Sequence, residues 1–206
     1  MSRRTETRER VVRAAVRTLA EDGFAATSAR AIARRGGFAP GVIYYHFDDL
    51  EHLLLATLEW TSELRLARYR EELAGVTTAA ELLGRLRRLY AEDVAEGHVA
   101  AVQELVAGAA SSRRLGPAIV ERLRPWLELT EEIARRFMAG TPLEHVVPAP
   151  DLGLAVVALY LGLETLTHLD RDRDRAMAES LFAAAGPAAA LFDSLLGHAH
   201  EGGAQG

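Results

Sequence analysis

The chain contains no cysteine and no lysine, and aromatic residues make up only 6% of it. Without cysteine there are neither disulfides nor thiolate metal ligands, which fits a reducing cytoplasm. We interpret the exclusive use of arginine as a base, together with abundant alanine, as the coding bias of a GC-rich genome. The strand formers Val, Ile, Thr and Tyr never cluster in alternation, so the composition predicts an all-α fold.

No apolar run is long enough for a typical membrane span. The longest uncharged apolar run, residues 152–163, has twelve residues, whereas a membrane helix needs about 20. We expect this run to form a buried helix, and we expect no membrane partner. Residues 1–10 are polar and are not expected to be a signal peptide, so the predicted localisation is cytoplasmic.

Motifs for catalysis or metal binding are also missing. The sequence has no Gly-rich phosphate loop, no zinc-protease motif and no serine in a nucleophile elbow. It has no Glu-x-x-His pairs of the kind that ferritin-like iron sites need. His198 and His200 offer only two ligands in a predicted tail. We predict no enzyme, cofactor or metal site, with a small helical enzyme or metal-binding protein as a distant alternative.

Charge is distributed unevenly along a chain whose formal net charge is -5. Residues 1–47 carry nine arginines and four acidic residues, a net of +5. Residues 48–206 carry fifteen arginines and twenty-five acidic residues, a net of -10. Because the N-terminal segment is basic and the rest of the chain is acidic, we expect only the N-terminal segment to bind a polyanion. The alternative is that the positive charge of this short segment arises by chance.

Helical periodicity extends over most of the chain. The first helix is predicted over residues 5–22 and ends at Gly23, and Thr27 or Ser28 caps a second helix that runs to Arg35. A third helix of about seven residues begins at Pro40. The remaining helices are predicted over 49–73, 78–96, 98–110, 118–139, 151–169 and a last range through 196 with a kink at Gly186-Pro187. Residues 141–150 and 171–175 are predicted connections, and residues 198–206 a frayed tail.

The stretch GGFAPGVIYYHFDDLEHLL, residues 36–54, has the pattern of a recognition helix and its exit. In a helix-turn-helix unit the second helix lies in the DNA major groove and the first braces it. Tyr44 and His46 are donors that can reach phosphate oxygens, which position the protein without reading sequence. Val42 and Tyr45 can touch base edges, a valine being best suited to a thymine methyl. Phe38, Ile43 and Phe47 are left to face the first two helices.

These residues resemble the TetR family of bacterial transcriptional regulators. The resemblance covers residues 10–54, and beyond it only the chain length and the number of helices correspond. It rests on a set of spaced residues: Ala14-Ala15, Leu19, Gly23-Phe24, Thr27-Ser28, Ile32-Ala33, Gly37, Gly41, Tyr44, His46-Phe47, Glu51 and Leu53.

The resemblance implies a nucleoid-associated homodimer that binds a palindromic operator in double-stranded DNA. By position it implies phosphate contacts for Thr27, Tyr44 and His46. It implies groove-facing positions for Arg30, Pro40, Gly41, Val42 and Tyr45.

Two residues depart from the family pattern. Ala39 stands where the family usually has a capping serine, and losing such a cap costs about 1 kcal/mol. Leu50 stands where the family usually has a phosphate-binding lysine. We expect an arginine-rich arm to compensate for the lost charge, formed by Arg3, Arg4 and Arg8.

Two domains follow from this reading, with about nine helices in total. Residues 1–48 form a helix-turn-helix DNA-binding domain of three helices. Residues 49–200 form a helical ligand-binding and dimerisation domain, and residues 201–206 a disordered tail.

A dimer seam is predicted from the helix over 151–169, which is apolar nearly all round. Leu152, Ala155, Val156, Leu159 and Leu163 are predicted to cover the core of the protomer. A helix that is apolar all round must be buried all round, so its other face is expected to meet a second copy in a four-helix interface. A well-buried core in a monomer is the alternative. The predicted interface comprises Leu154, Val157, Ala158, Leu161, Leu181, Phe182, Ala189 and Phe192.

The resemblance also implies a pocket for a small-molecule effector within the fourth to eighth helices. Polar or aromatic residues on apolar stripes predict a mostly apolar ligand with a few polar anchors. The candidates are Trp60, Thr61, Tyr90, Gln103, Trp126, Thr130, Tyr160 and His168. Each has a structural alternative, such as a bond from the Thr130 hydroxyl to the carbonyl four residues back.

The predicted function is that of a repressor which the effector releases from its operator. The fourth helix, which leads from the DNA-binding domain into the remainder, is the expected moving element. A ligand-independent DNA-binding regulator or an activator is the alternative.

Overall fold

The structure is a computed structural model that describes residues 3–109, 112–169 and 176–202. Within these ranges it contains helices and no strands, so the all-α prediction is confirmed. The helices are α1 (Arg3–Asp22), α2 (Ala29–Gly36), α3 (Gly41–His46), α4 (Leu50–Leu73), α5 (Ala79–Ala95), α6 (His98–Ala109), α7 (Leu115–Met138), α8 (Ala149–Leu169) and α9 (Ala176–Gly202). A 3-10 turn, Pro142–His145, lies in the predicted loop before α8.

Local signals set the ends of the first three helices. Ser28 caps α2, because its hydroxyl accepts a hydrogen bond from a backbone N–H in the first turn at 3.2 Å. Gly37 ends α2 with a φ of 65°, a left-handed conformation that glycine adopts without steric cost. Pro40 occupies the N-cap position of α3, and no side chain caps this helix. The missing cap expected from Ala39 is therefore observed, with the cap position one residue later.

The internal contacts divide the chain into two compact units. The first unit comprises the described parts of Met1–Ala67 and Glu92–Leu123, and the second unit those of Arg68–Ala91 and Arg124–Gly206. The first unit thus includes α6 together with α1–α3, whereas the sequence predicted a boundary after residue 48. Helices α4, α5 and α7 contribute residues to both units.

Two apolar clusters form the core of the first unit. The first cluster joins α1, α2 and α3 to the beginning of α4, and it includes the buried residues Val11, Val12, Ile32, Ile43, Phe47 and Leu53. The second cluster joins α1 to α4, α6 and α7, and it includes Val16, Leu19, Leu54, Leu58, Leu105 and Leu115. Because α6 packs on α1 through the second cluster, the helix-turn-helix segment shares its core with α6.

The orientation of α8 differs from the one predicted. Val157, predicted for the dimer interface, is buried within the protomer, whereas Val156 and Leu159, predicted to face the core, are 45% and 57% exposed. Gly153 explains the difference: a Cβ there would lie 3.0 Å from Thr130 Oγ1 and 3.0 Å from a backbone nitrogen of α7. The missing side chain lets α8 approach α7 on this face.

By length and composition alone, α8 is the one helix among the described residues that could cross a membrane, over Ala149–His168. Length and composition do not distinguish a membrane span from the core helix of a soluble protein. Three leucines of this helix, Leu154, Leu159 and Leu166, are exposed in the protomer.

Helix α9 is continuous through Pro187 and extends to Gly202, beyond the predicted end at residue 196. Phe182, also predicted for the dimer interface, is half-buried in the second unit, with its ring 5.8 Å from that of Tyr90. The predicted connection 171–175, residues 203–206 of the predicted tail and the side chains of His198 and His200 lie outside the described residues.

Candidate nucleic-acid interface

Helix α3 presents two tyrosines to solvent. Tyr44 is 57% exposed and Tyr45 is 70% exposed, which is more than their apolar rings alone would favour. Pro40 and Gly41 are exposed as well, whereas Val42 is half-buried and packs against the first cluster. Helix α3 and its N-cap residue Pro40 therefore carry all of the residues predicted to face the groove except Arg30.

Arginines at the beginning of α1 lie beside the end of α3. The guanidinium carbon of Arg4 is 5.8 Å from the ring centroid of Tyr45, and that of Arg8 is 5.1 Å from the ring centroid of Phe47. Arg3 is exposed in the same turn as Arg4. The predicted arm is therefore the first part of α1, and it places cations next to the exposed aromatic surface.

His46 ends α3 and contacts Tyr45 edge-on, with 5.0 Å between ring centroids. Burial first, and then the positive charges of Arg4 and Arg8, hold the pKa of His46 below its ordinary value. The neutral imidazole that results still has one N–H donor, which a phosphate oxygen can accept. A phosphate arriving beside these arginines would offset their charge and raise the pKa again.

Two residues at α2, Thr27 and Arg30, were predicted to contact DNA, and they differ in exposure. Arg30 is exposed and needs no rearrangement to reach DNA. Thr27 is only 8% exposed, and its hydroxyl donates a hydrogen bond to the carbonyl of Gly23 at 2.7 Å. A phosphate contact from Thr27 therefore requires that bond to be exchanged.

Arg10 supports this surface although the sequence did not point to it. Its Nη2 donates to the carbonyl oxygens of Gly36 and Gly37 at 3.2 and 2.9 Å, and its guanidinium carbon lies 5.4 Å from the ring centroid of Phe38. Arg10 thereby ties the turn between α2 and α3 to α1. In the sequence it reads only as a charge on the solvated face of an amphipathic helix.

Three of the predicted effector residues belong to the first unit. The Trp60 ring lies 5.4 Å from the guanidinium carbon of Arg13 and 5.8 Å from the His98 ring. Thr61 and Gln103 are buried, at 1% and 5% exposed. The first unit therefore contains buried polar side chains as well as the half-buried Trp60 ring.

The other five predicted effector residues belong to the second unit. Tyr90 lies 6.5 Å from Tyr160 by ring centroids, and Trp126 stacks edge-on with Tyr69 at 5.1 Å. His168 is half-buried. The Thr130 hydroxyl lies 3.0 Å from the Trp126 carbonyl four residues back, so its structural alternative is the one observed.

Comparison with known proteins places these features in a family. Residues 11–57 match the family described as bacterial regulatory proteins, tetR family. The HTH-type transcriptional regulator UidR of Escherichia coli K12 is 27% identical over 155 residues, which cover 75% of this chain and 76% of UidR.

Solved structures share the fold. A TetR-family transcriptional regulator from Rhodococcus sp. superimposes with a TM-score of 0.73 at 21% identity, over 89% of this chain and 98% of the other. The regulator FadR from Bacillus subtilis, solved with stearoyl-CoA, superimposes with a TM-score of 0.61 at 21% identity, over 85% and 95% of the two chains.

The helical fold and the exposed surface of α3 define a helix-turn-helix DNA-binding protein. The family match falls on the segment that builds this surface. Residues 11–57 have the DNA-binding segment of the tetR family of bacterial regulatory proteins, and UidR, a transcriptional regulator, is similar to the chain over 155 residues. Its relatives are transcriptional regulators, which confirms the prediction of a regulator rather than an enzyme.

Proposed function

We propose that the protein is a dimeric repressor that binds a palindromic operator and is released by a small, mostly apolar molecule. The observation that carries this proposal is the surface of α3, where exposed Tyr44 and Tyr45 stand beside Arg3, Arg4 and Arg8. Aromatic and hydroxyl groups next to cations suit a surface that meets both phosphates and base edges. We place the protein in the bacterial cytoplasm, associated with the nucleoid.

Selection of bound duplexes from a random DNA pool tests the proposal. Two copies of α3 related by a two-fold axis should select an inverted repeat whose half-sites are about one helical turn of DNA apart, or a multiple of it. Recovery of sequences without any inverted repeat would count against the operator.

We expect the double variant Arg3→Ala/Arg4→Ala to flatten the salt dependence of DNA binding. Each phosphate contact contributes about 0.9 to the slope of log affinity against log salt. If each subunit of the dimer loses one or two contacts, the magnitude of the slope should fall by between about 2 and 4. Fluorescence anisotropy with a labelled duplex over a salt series measures it. A matched control, Arg124→Ala/Arg135→Ala, removes two exposed arginines of the second unit and should leave the slope unchanged. If the slope of the arm variant equals that of the wild type, Arg3 and Arg4 do not contact DNA phosphates.

The dimer is supported by an apolar surface on α8 and α9. Leu159 and Leu166 of α8 are 57% and 55% exposed, and Leu191 of α9 is 62% exposed. Leu159 and Leu166 also line an open groove of about 550 Å³ between these helices, together with Ala158, Leu163 and Leu181. We infer that a second copy of the chain covers this surface, because a palindromic operator requires a two-fold protein.

We expect Leu159→Glu to convert the dimer into a monomer at micromolar concentration. The charge would have to be buried against apolar side chains of the partner, at a large cost in free energy. Sedimentation velocity reports the change, and Val120→Glu is the control, since Val120 is 68% exposed on α7. A wild-type protein that sediments as a monomer would contradict the dimer itself.

The proposal that an effector binds is supported by polar and aromatic side chains within both units. Trp60, Thr61 and Gln103 in the first unit, and Tyr90 and Tyr160 in the second, combine apolar area with a few hydrogen-bonding groups. FadR from Bacillus subtilis, which shares the fold, was solved with stearoyl-CoA, a molecule that joins a long apolar acyl chain to a polar, anionic coenzyme A. Thermal unfolding with a metabolite library distinguishes a sensor from a ligand-independent regulator, because a ligand selective for the native state raises the unfolding temperature.

We infer that α4 and α6 transmit the signal. Helix α4 begins four residues after the end of α3 and continues to Leu73. Helix α6 contacts the end of α1, where the Glu104 carboxylate accepts a hydrogen bond from the backbone N–H of Phe24 at 2.6 Å. A ligand that favours one position of either helix would change the geometry of α3 and with it the affinity for the operator.

A further inference from the structure

The turn between α1 and α2 rests on helix α6. The backbone N–H of Phe24 donates to the Glu104 carboxylate at 2.6 Å, and the Phe24 ring packs against the second cluster. Gly108, one turn after Glu104, makes room for this ring, since a Cβ at residue 108 would lie only 2.3 Å from the ring carbon Cε2. Glu104 and Gly108, here called the α6 seat, therefore hold Phe24 by its backbone and by its ring.

The peptide group between Gly23 and Phe24 joins the α6 seat to Thr27. Its N–H donates to Glu104, and its carbonyl oxygen accepts a hydrogen bond from the Thr27 hydroxyl at 2.7 Å. The backbone N–H of Thr27 donates to the Phe24 carbonyl at 3.1 Å. Because the N–H and C=O of one peptide group are held in one plane, the bond to Glu104 fixes the direction of the carbonyl that Thr27 uses. A residue of α6 thus helps to place Thr27.

Thr27 stands where the turn meets the DNA-binding surface. It immediately precedes Ser28, which caps α2, and Arg30 is exposed in the first turn of that helix. A hydroxyl has one proton to donate, so a phosphate contact from Thr27 takes this proton away from the Gly23 carbonyl. The turn then loses one of its internal hydrogen bonds. The bond from Phe24 to Glu104 does not involve Thr27, so it keeps the turn ordered and limits the conformational entropy lost on binding.

We propose that Glu104 and Gly108 are positioning residues for DNA binding, which hold the turn between α1 and α2 so that the Thr27 hydroxyl reaches a backbone phosphate. The proposal rests on the proposed DNA-binding function, in which Thr27 makes that contact. It makes the affinity for DNA depend on two residues of α6 that act through Phe24 rather than on the duplex itself. Glu104 acts on the backbone of Phe24 and Gly108 on its ring, so each contribution has its own test.

Binding of a labelled duplex of mixed sequence tests the role of Glu104. Glu104→Ala should lower the affinity by about threefold to tenfold per subunit, the effect of one lost hydrogen bond. Glu104→Gln has the same charge as Glu104→Ala but keeps an acceptor for the N–H of Phe24, so it should retain most of the affinity. Glu121→Ala removes an exposed carboxylate of α7 and should bind as the wild type. Equal affinities for Glu104→Ala and Glu104→Gln would contradict the role of the hydrogen bond.

A double-variant cycle with Thr27→Val tests whether Glu104 acts through the Thr27 hydroxyl. Valine has nearly the shape of threonine without its hydroxyl, so Thr27→Val should lower the affinity by itself. Adding Glu104→Ala should then have little further effect, because the contact that Glu104 positions is already lost. A general loss of stability would lower the affinity equally in both backgrounds. Equal effects of Glu104→Ala with and without the Thr27 hydroxyl would therefore overturn the proposal.

Gly108→Ala is a second test, which leaves the Glu104 carboxylate in place. Its methyl group would displace the Phe24 ring, so the affinity should fall here too. Gly116→Ala is the matched control, because among the described residues a Cβ at this helical position meets open space. Urea unfolding shows whether each variant is as fully folded as the wild type in the binding assay. If folded Glu104→Ala and Gly108→Ala bind as the wild type, this inference fails alone; if the wild type binds no duplex, the proposed function fails with it.

Discussion

Replacing Asp93 by alanine is expected to lower the free energy of unfolding by about 3–5 kcal/mol, the cost of removing one member of a buried ion pair. Asp93 is fully buried in the first unit and accepts a hydrogen bond from Arg65 Nε at 2.6 Å. The Arg65 side chain is itself only 7% exposed. Alanine in place of Asp93 would leave the buried guanidinium of Arg65 without this carboxylate.

Urea unfolding followed by circular dichroism at a fixed protein concentration measures this loss. Glu9→Ala is the matched control, because it removes an ion pair of the same length, 2.6 Å, whose Arg13 side chain is 61% exposed. That change should cost less than about 1 kcal/mol. The double variant Arg65→Met/Asp93→Leu should recover most of the stability, since it removes both charges. A loss for Asp93→Ala as small as that of the control would show that the pair is not desolvated.

We expect Phe47→Ala to destabilise the first unit by about 3–5 kcal/mol through the cavity that it leaves. Phe47 follows α3 and is 2% exposed in the first cluster. Its ring lies 5.6 Å from that of His52 on α4 and beneath the guanidinium of Arg8 on α1. Removing the ring takes away contacts that set the position of α3 relative to both helices.

Tyr45→Ala, two residues earlier, provides the contrast. The Tyr45 ring is 70% exposed, so its loss should change the free energy of unfolding by no more than about 0.5 kcal/mol. We expect it to weaken operator binding, because the ring belongs to the surface presented to DNA. Unfolding and anisotropy measurements on both variants separate the two roles. Equal losses of stability would mean that Tyr45 is part of the core.

The DNA-binding segment was predictable because its signals are local. Ser28 and Asp49 cap helices through bonds to N–H groups three residues ahead, at 3.2 and 2.6 Å. Gly23 and Gly37 follow helix ends, and Pro40 stands at the beginning of α3. These effects depend on residues within one turn of each other, so the order of residues is enough to infer them.

The orientation of α8 was not predictable, and the reason is its composition. A helix that is apolar on every side has no periodic stripe to show which face turns inward. The close approach of Gly153 to Thr130 decides the face, and it joins positions 23 residues apart in the chain. Val157 is buried as a result, and Leu159 is left for the proposed partner.

Ion pairs between residues that are far apart in the chain also cannot be predicted from a single sequence. Arg65 reads as a solvated charge on α4, and Asp93 as one on α5, until the fold buries both. Arg114 and Glu51, 63 residues apart, show the same limit at the surface. Electrostatic partners of this kind depend on how helices pack, which a local pattern does not specify.

The sequence by itself determined the helical class, the positions of the early helices and the identity of the recognition segment, because each depends on periodicity, caps and turns within a few residues. Only the tertiary structure decided which face of α8 is buried, which arginines lie beside α3 and which charges are paired. These outcomes follow from the close packing of side chains from distant parts of the chain, where the loss of a single Cβ, as at Gly153, selects one arrangement over another.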